Sequence, residues 1–433
     1  MRIVESFPYP VREIENLWIP MSDGVRLAAR IWLPETSEPV PAIIESIPYR
    51  KRYGTRWRDE PMHRGFAGHG YAAVRIDVRG SGDSDGVLRD EYLDQEQEDG
   101  VEAIRWVASR PWCSGSVGLI GKSWGGFGAL QIAARRPPEL RAVISCCSSD
   151  DRYADDAHYM GGRLLLENLI WGSLLTTLLA HPPDPDVFGS GWREAWRERL
   201  EADRPFASLW MSHPARDAYW RRGSVGEDPS AIACPVYAIG GWADGYSNAI
   251  GRLVAGHPLA KGLVGPWAHV YPHEGVPGPA IGFLQEARRW WDRWLRGVAN
   301  GIDLEPRFRA WIEEGPPPDT FGADRKGRWV AEREWPSPRI RPHVLRMGEG
   351  TLAGEVPATG RIEVHSPQSV GMAAGGWCAF EFELGEPIDP RTDDARSVVF
   401  ESAPLEERLE ILGAPVATIV LSADRPEALL AVR

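Results

Sequence analysis

The sequence predicts an α/β fold, with a mostly parallel sheet covered by helices on both faces, followed by an all-β region. Over roughly the first 300 residues, short apolar runs typical of strands alternate with helix-like runs. Strands that alternate with helices indicate a parallel sheet. Beyond Gly301, short β-like runs alternate with Gly and Pro turns, which is the pattern of a sandwich or jelly roll.

The elements of the first region can be assigned in order along the chain. Residues 12–34 predict a β-hairpin with its turn at Asp23-Gly24, because apolar residues alternate along both arms. Further apolar runs predict strands at 41–47, 70–76, 116–120, 141–147, 235–240 and 261–264. Helical spacing of apolar residues predicts helices at 96–109, 124–135 and Phe283–Gly297.

Residues 152–230 interrupt this alternation. They contain several tryptophans, helix-like runs and a Pro-rich loop at 181–185, but no clear strand. We interpret this segment as a helical cap inserted between two strands, overhanging the carboxyl edge of the sheet where ligands bind. The alternative interpretation is a second helical layer that has no role in ligand binding.

Three units follow from this pattern. We predict a sheet domain made of residues 1–151 and 231–300, a helical cap of residues 152–230, and a β domain of residues 301–433. In the β domain, apolar runs predict strands at 307–312, 376–383, 397–401, 407–412 and 415–421.

The composition argues against several classes of function. A net charge of −12 argues against a nucleic-acid or anionic-membrane partner. The chain shows neither an apolar leader nor an apolar stretch long enough to span a membrane, so we expect a cytoplasmic protein. Five cysteines without CxxC spacing favour reduced thiols and no metal site. We expect no cofactor.

Residues 121–125, Gly-Lys-Ser-Trp-Gly, are the most informative motif. A strand-like run precedes them and a helix-like run follows, which is the sequence form of a nucleophile elbow with Ser123 as the nucleophile. Small residues are needed at both ends because the turn is too tight for side chains there. The pentad alone also fits a tight turn in which the serine only caps a helix, so the interpretation depends on finding a base and an acid.

His269 is the best candidate for the base. A serine hydroxyl needs an adjacent base that an acid orients, and in open α/β sheets the chain order is serine, acid, histidine. His269 lies in the loop after the strand at 261–264, downstream of the other predicted strands of this sheet. His273 lies in the same loop and is the alternative.

Asp244 is the best candidate for the acid. It follows the strand at 235–240 and lies between the serine and the histidine in the chain. Asp150 and Asp151 follow the strand at 141–147 and compete with it. Taken alone, Asp244 also fits a turn aspartate beside Gly245. The joint pattern favours the catalytic interpretation, because three residue types occur in the right order, each after a strand.

An oxyanion hole needs two donors, and the backbone N–H of Trp124 is the expected first one. Tyr49 follows the strand at 41–47, where the second donor is expected, and its phenol could donate a hydrogen bond. By chemistry alone, a tyrosine that only packs is an equally good interpretation.

Together these residues resemble the family of cocaine-esterase-like and X-prolyl dipeptidyl-peptidase serine hydrolases. The matching stretches are 47–51 (Ile-Pro-Tyr-Arg-Lys), 77–82 (Asp-Val-Arg-Gly-Ser-Gly), 121–126 (Gly-Lys-Ser-Trp-Gly-Gly), 240–244 (Gly-Gly-Trp-Ala-Asp) and 265–269 (Gly-Pro-Trp-Ala-His). The resemblance implies an α/β-hydrolase fold with a helical cap and a C-terminal jelly roll. It also implies Ser123, Asp244 and His269 as the triad, and Tyr49 with the Trp124 amide as the oxyanion hole.

Two departures from the family pattern affect the expected structure and substrate. The chain ends partway through the family's jelly roll, so we expect a truncated sandwich. The α-amino-acid ester hydrolases of the family hold the substrate ammonium with acidic residues, but Gly245-Tyr246-Ser247 follows Asp244 here. This weakens the prediction of amino-acid-ester or dipeptide substrates.

The favoured hypothesis is a serine hydrolase that cleaves esters, or less favourably amides, through an acyl-enzyme. We expect the substrate to be a small ester or a short peptide. A homodimer is one assembly that the sequence leaves open. Trp171, Trp242 and Asp155 are the candidate pocket residues. An X-Pro dipeptidyl-peptidase or α-amino-acid ester hydrolase is the alternative. A third hypothesis, an inactive hydrolase fold whose jelly roll binds a carbohydrate or a partner, conflicts with the intact triad.

Overall fold

The computed structural model of the chain describes residues 4, 6–315, 324–356, 360–373, 377–378 and 389–432. Its strands are β1 (Val11–Pro20), β2 (Arg26–Pro34), β3 (Val40–Ile47), β4 (Ala72–Asp77), β5 (Cys113–Lys122), β6 (Leu140–Cys146), β7 (Tyr159–Met160), β8 (Arg163–Leu164), β9 (Val236–Gly241), β10 (Ala260–Gly265), β11 (Phe308–Glu313), β12 (Gly327–Glu332), β13 (Arg346–Met347) and β14 (Leu352–Ala353). Its α-helices are α1 (Arg56–Gly68), α2 (Asp94–Ala108), α3 (Trp124–Ala134), α4 (Glu167–Leu179), α5 (Pro185–Phe188), α6 (Trp192–Ala202), α7 (Phe206–Met211), α8 (Ala218–Arg221), α9 (Ser247–Gly256), α10 (Phe283–Arg296) and α11 (Arg391–Asp394).

One ten-stranded sheet forms the centre of the molecule, in the order β1-β2-β4-β3-β5-β6-β9-β10-β11-β12. The strands from β4 to β11 in that order run parallel, while β1, β2 and β12 pair antiparallel at the two edges. The predicted hairpin and all six predicted strands of the sheet domain are confirmed, as is the predicted α/β class.

Helices cover both faces of the sheet, as expected when parallel strands are buried on both sides. The apolar sides of α2, α3 and α9 pack into one core cluster. The apolar sides of α1 and α10 pack into a second cluster on the other face. The predicted helices at 96–109, 124–135 and Phe283–Gly297 are therefore confirmed.

The segment between β6 and β9 forms the predicted helical insertion. A third apolar cluster joins residues of α4, α7 and α8 to residues of the sheet domain, among them Ile47, Trp124 and Phe127. These sheet-domain residues lie at or after the carboxyl ends of their strands, so the insertion packs over the carboxyl edge. It also contains the short antiparallel pair of β7 and β8, which the sequence analysis did not predict.

Two predictions for the region beyond residue 301 need correction. The strand predicted at 307–312 is β11, and it pairs in parallel with β10 in the main sheet rather than in a separate β domain. Its buried alternate residues, Phe308 and Ala310, complete the same core that β10 covers, which explains why it joins this sheet.

The second correction concerns 397–401, 407–412 and 415–421, which form no strand in this structure. A β-strand exists only where a neighbour pairs with it, and here the described residues provide one isolated bridge, Thr351 to Glu401. The strand predicted at 376–383 lies outside the described residues, apart from the bend at 377–378.

Within the described part of the chain, the helices are too short or too polar to cross a bilayer.

Candidate active site

The turn between β5 and α3 has the geometry of a nucleophile elbow. Ser123 is held at φ 58° and ψ −123°, a conformation that costs energy for a residue with a side chain. A Cβ atom at Gly121 would lie 2.1 Å from the backbone carbon of Gly125, so only glycine fits there. At Gly125, an added Cβ would lie 2.8 Å from Ile47, and the helix could not approach β3 as it does.

Backbone hydrogen bonds hold this strained turn in place. The N–H of Ser123 donates to the carbonyl of Cys146 on β6, and its carbonyl accepts from Gly126 and Phe127 in the first turn of α3. The neighbouring Lys122 donates from Nζ to the backbone carbonyl of His269, at 2.9 Å. The elbow is therefore tied directly to the loop that carries the candidate base.

His269 and Asp244 form a buried pair. His269 Nδ1 lies 2.9 Å from Asp244 Oδ1, and each residue is only 4% exposed. Burial alone would raise the pKa of Asp244, but His269, through its charge and its hydrogen bond, holds that pKa below the usual range. The two residues follow β10 and β9, adjacent parallel strands whose carboxyl ends meet at one edge of the sheet.

The competing acids and the competing base have other partners. His273 stacks on Tyr271 and Phe283, and burial lowers its pKa to about 4. Asp150 pairs with Arg252. Asp151 pairs with Arg216 and accepts hydrogen bonds from the backbone of residues 153 and 154.

Tyr49 lies beside the elbow. Its hydroxyl lies close to the side chain of Ser123 and to the backbone N–H of Trp124, both of which act on its pKa. Burial raises the pKa of this phenol, and the two contacts only partly offset the rise, so it stays protonated and able to donate. The structure thus brings together the two groups that the sequence analysis assigned to an oxyanion hole.

Buried charges fix the loop that carries Tyr49. Lys51 donates its backbone N–H to Asp77 Oδ1 at 2.7 Å, and its ammonium group pairs with Asp83. Arg50 donates to backbone carbonyls of the cap at His181 and Pro182. The Asp-rich loop after β4 therefore supports the position of the Tyr49 loop.

Trp171 is the pocket candidate that the structure brings to this site. Its ring packs edge-on against Tyr49, with ring centres 6.1 Å apart, and lies 6.2 Å from the ring of Trp124. Its indole N–H donates to Glu91 at 2.5 Å. Helix α4 of the cap thus places an aromatic ring against the rings of Tyr49 and Trp124.

The other two pocket candidates make their contacts elsewhere. The indole N–H of Trp242 donates to the backbone carbonyl of Trp311 on β11, at 2.6 Å. Asp155 is paired with Arg252 and accepts a hydrogen bond from Asn248. Their role in a substrate pocket stays a prediction.

The structure also reveals residues that the sequence analysis did not single out. Glu91 is buried and binds Arg152 and His158 as well as Trp171, so it anchors the cap to the sheet domain. Glu96 accepts a 2.6 Å hydrogen bond from the indole N–H of Trp124, and burial raises the pKa of Glu96 to about 8. No sequence signal singled out either acid, because Glu91 lies in the loop well after β4 and Glu96 lies in the first turn of α2.

Two cysteines lie against the Asp244 carboxylate. Cys147, the first residue after β6, donates its thiol to the backbone carbonyl of Val270 at 3.6 Å, and its sulfur lies within 4.8 Å of ligand atoms of Asp244 and His269. The thiol of Cys378, from the C-terminal region, lies 3.6 Å from Asp244 Oδ1. The neighbouring Trp377 packs edge-on against Tyr246, with ring centres 5.0 Å apart. Cysteine spacing in the sequence gave no indication of this convergence.

The arrangement has the parts that acyl transfer needs. A strained serine lies at a helix N-terminus, a buried imidazole–carboxylate pair lies on the adjoining loops, and two donors converge beside the serine. Such a set can deprotonate the hydroxyl and stabilise a tetrahedral oxyanion without a metal ion.

Comparison with known proteins gives the same family as the sequence motifs. The family described as X-Pro dipeptidyl-peptidase (S15 family) matches residues 23–271, more than half of the chain. The family described as X-Pro dipeptidyl-peptidase C-terminal non-catalytic domain matches residues 300–433.

Individual relatives cover most of the chain. A protein of Mycobacterium bovis provisionally named a serine esterase is 25% identical over 492 residues, covering 94% of this chain and 75% of its own. The cocaine esterase of a Rhodococcus species is 27% identical over 457 residues, covering 94% and 77%. A solved α-amino acid ester hydrolase superposes with a TM-score of 0.67 at 20% identity, covering 94% and 75%, and supports the fold.

Proposed function

The chain belongs to the X-Pro dipeptidyl-peptidase (S15) family and is a serine hydrolase, and from this premise we propose that it cleaves carboxylic esters through an acyl-enzyme on Ser123. The relative named cocaine esterase supports ester cleavage. The single observation that supports the site assignment most strongly is the buried His269–Asp244 pair, whose loop is hydrogen-bonded to Lys122 of the nucleophile elbow.

The proposed reaction begins when Ser123 Oγ attacks the ester carbonyl and passes its proton to Nε2 of His269. Asp244 accepts the Nδ1–H hydrogen bond, fixes the tautomer and stabilises the imidazolium. The Tyr49 hydroxyl and the Trp124 N–H donate to the oxyanion as charge develops on it.

Collapse of the first tetrahedral intermediate expels the alcohol, which takes the proton from His269. A water molecule then attacks the acyl-enzyme while His269 acts again as the base, and the second intermediate releases the acid and restores Ser123. Because the ring of Trp171 packs against the rings of Tyr49 and Trp124, we propose an apolar or aromatic acyl group.

The alternative is release of X-Pro dipeptides or hydrolysis of α-amino-acid esters, which needs a carboxylate to bind the substrate ammonium group. Asp155 is already paired with Arg252. Asp156 is buried, and burial raises its pKa to about 6, so this carboxyl group is still mostly ionised at neutral pH. The pairing of Asp155 with Arg252 favours the esterase hypothesis.

The test compares p-nitrophenyl acetate and p-nitrophenyl benzoate with Gly-Pro-p-nitroanilide, using wild type and Ser123→Ala. Ester turnover that Ser123→Ala abolishes, without anilide release, supports the proposal. Release of the anilide by wild type would assign the chain to the dipeptidyl-peptidase class. Absence of turnover on every substrate by a folded protein would refute the proposal.

The cellular location of the enzyme and its oligomeric state are part of the same proposal. All five cysteines are free thiols, which supports a cytoplasmic site of action. We also propose that the chain after β12 contains part of a jelly roll, of which the described residues show the β13–β14 pair and the isolated bridge from Thr351 to Glu401, and that the enzyme forms a homodimer. Sedimentation of the purified protein at several concentrations tests the dimer.

A further inference from the structure

Two thiols lie close to the carboxylate and the imidazole of the candidate triad. We propose that Cys147, Cys378, Asp244 and His269 form a binding site for a thiophilic divalent cation such as Zn²⁺. Occupancy of this site would switch the enzyme off, and this consequence for turnover rests on the proposed function. The binding of the metal itself does not depend on that function.

Geometry is the first support. Ligand atoms of Cys147, Asp244 and His269 all lie within 4.8 Å of one another. The Cys378 thiol lies 3.6 Å from Asp244 Oδ1. In a tetrahedral zinc site with Zn–S near 2.3 Å and Zn–N near 2.0 Å, neighbouring ligand atoms are about 3.5 Å apart. The Cys378 thiol approaches Asp244 but lies outside the group of three, so it would have to move toward Cys147 and His269 to complete the shell.

A carboxylate oxygen without a hydrogen-bond partner is an independent second observation. Asp244 is 4% exposed, and its buried Oδ2 accepts no hydrogen bond from any residue that the structure describes. A buried carboxylate oxygen without a partner is costly, and a cation would satisfy it. Sulfur, nitrogen and carboxylate ligands together select Zn²⁺ or Cd²⁺ over Mg²⁺ or Ca²⁺.

Another group of potential metal ligands, Glu45, Asp59 and His63, is unsuitable. The guanidinium groups of Arg58 and Arg75 already lie against its two carboxylates. A cation would have to displace two buried positive charges there. No arginine or lysine is paired with Asp244 in the described part of the chain, so a cation meets no such barrier at the proposed site.

The protons that the metal displaces from its ligands explain how metal binding would inhibit the enzyme. Each thiol releases its proton to solvent, and the Nδ1 proton of His269 moves to Nε2 so that the Nδ1 lone pair faces the metal. His269 then cannot accept the proton of Ser123 at Nε2, and Asp244 no longer orients it. The site depends on Cys147 and Cys378, neither of which takes part in the proposed acyl transfer.

The experiment measures binding directly with Cd²⁺, followed by the ultraviolet thiolate-to-cadmium charge-transfer band and by equilibrium dialysis. The comparison includes wild type, Cys147→Ser, Cys378→Ser and Ser123→Ala. Cys234→Ser is the matched control, because it removes a half-buried free thiol outside the proposed site. Circular dichroism verifies that each variant is folded. If Cys147→Ser does not fold, Cys378→Ser alone tests the proposal.

We expect one equivalent of Cd²⁺ in wild type, Ser123→Ala and Cys234→Ser, with a band that corresponds to two thiolates. Each variant at Cys147 or Cys378 should lose about half of the band and at least about tenfold in affinity. Zn²⁺ should abolish ester turnover in wild type, reversibly with EDTA. Absence of stoichiometric binding, or binding that folded Cys378→Ser retains in full, would overturn the proposal. Binding by Ser123→Ala distinguishes failure of the metal site from failure of the proposed activity.

Discussion

Removing the hydroxyl of Tyr49 is the sharpest test of the oxyanion assignment. Tyr49→Phe deletes one oxygen atom and keeps the ring, which packs edge-on against Trp171. The Trp124 N–H remains as the second donor. Loss of one preorganised donor of this kind costs about 10²–10³ in kcat, or about 2.7–4 kcal/mol of transition-state stabilisation. We therefore expect a large but incomplete loss of turnover.

The assay is kcat and KM for p-nitrophenyl acetate. Tyr53→Phe is the matched control, because Tyr53 is an exposed tyrosine in the same loop and its ring lies under Arg50. We expect kcat to fall by about 10²–10³ in Tyr49→Phe with KM nearly unchanged, since the donor acts mainly on the transition state. A kcat within about threefold of wild type would refute the idea that the phenol stabilises the oxyanion.

Three further predictions follow from the buried acids. Asp244→Asn should keep the fold but lower kcat by about 10⁴, because an amide does not hold the required tautomer of His269; a loss below about tenfold in steady-state kinetics would contradict this role. Glu45→Gln removes one of the two carboxylates that face the buried Arg58, the other being Asp59, so urea denaturation should show a loss of about 1.5–3 kcal/mol, and an unchanged midpoint would contradict it. The pKa of Glu96 is raised to about 8 by burial. Its contribution to stability is therefore complete below the unfolded pKa, near pH 4.5, and lost as pH rises through about 8. Glu96→Gln should flatten the fall in thermal midpoint that wild type shows from about pH 5 to about pH 9, and a wild-type slope in that variant would refute the assignment.

Much of the fold could be predicted because its signals are local. Parallel strands appear as apolar runs, and the elbow needs glycine at Gly121 and Gly125 for steric reasons that hold in any fold of this kind. The order of Ser123, Asp244 and His269, each after a strand, was enough to propose one site. Adjacent carboxyl ends of parallel strands brought Asp244 and His269 to hydrogen-bonding distance, as expected.

What could not be predicted depends on contacts between distant segments. Strand β11 joins the main sheet because β10 offers a free parallel edge and a core for Phe308, and neither is visible in its local sequence. Glu91 looks like a loop acid, but its role as an anchor depends on Arg152 and His158, more than 60 residues away. Cys378 lies 134 residues from Asp244, so no spacing rule could have paired them.

Covalent labelling with a fluorophosphonate tests the central claim most directly, because the reagent reacts with serines that an adjacent base activates. The adduct would be located by mass spectrometry of the digested protein, with wild type, Ser123→Ala and His269→Ala compared. The account predicts one adduct per chain, on Ser123, absent from Ser123→Ala and strongly slowed in His269→Ala. An adduct on another residue of wild type, or undiminished labelling of Ser123→Ala, would contradict it.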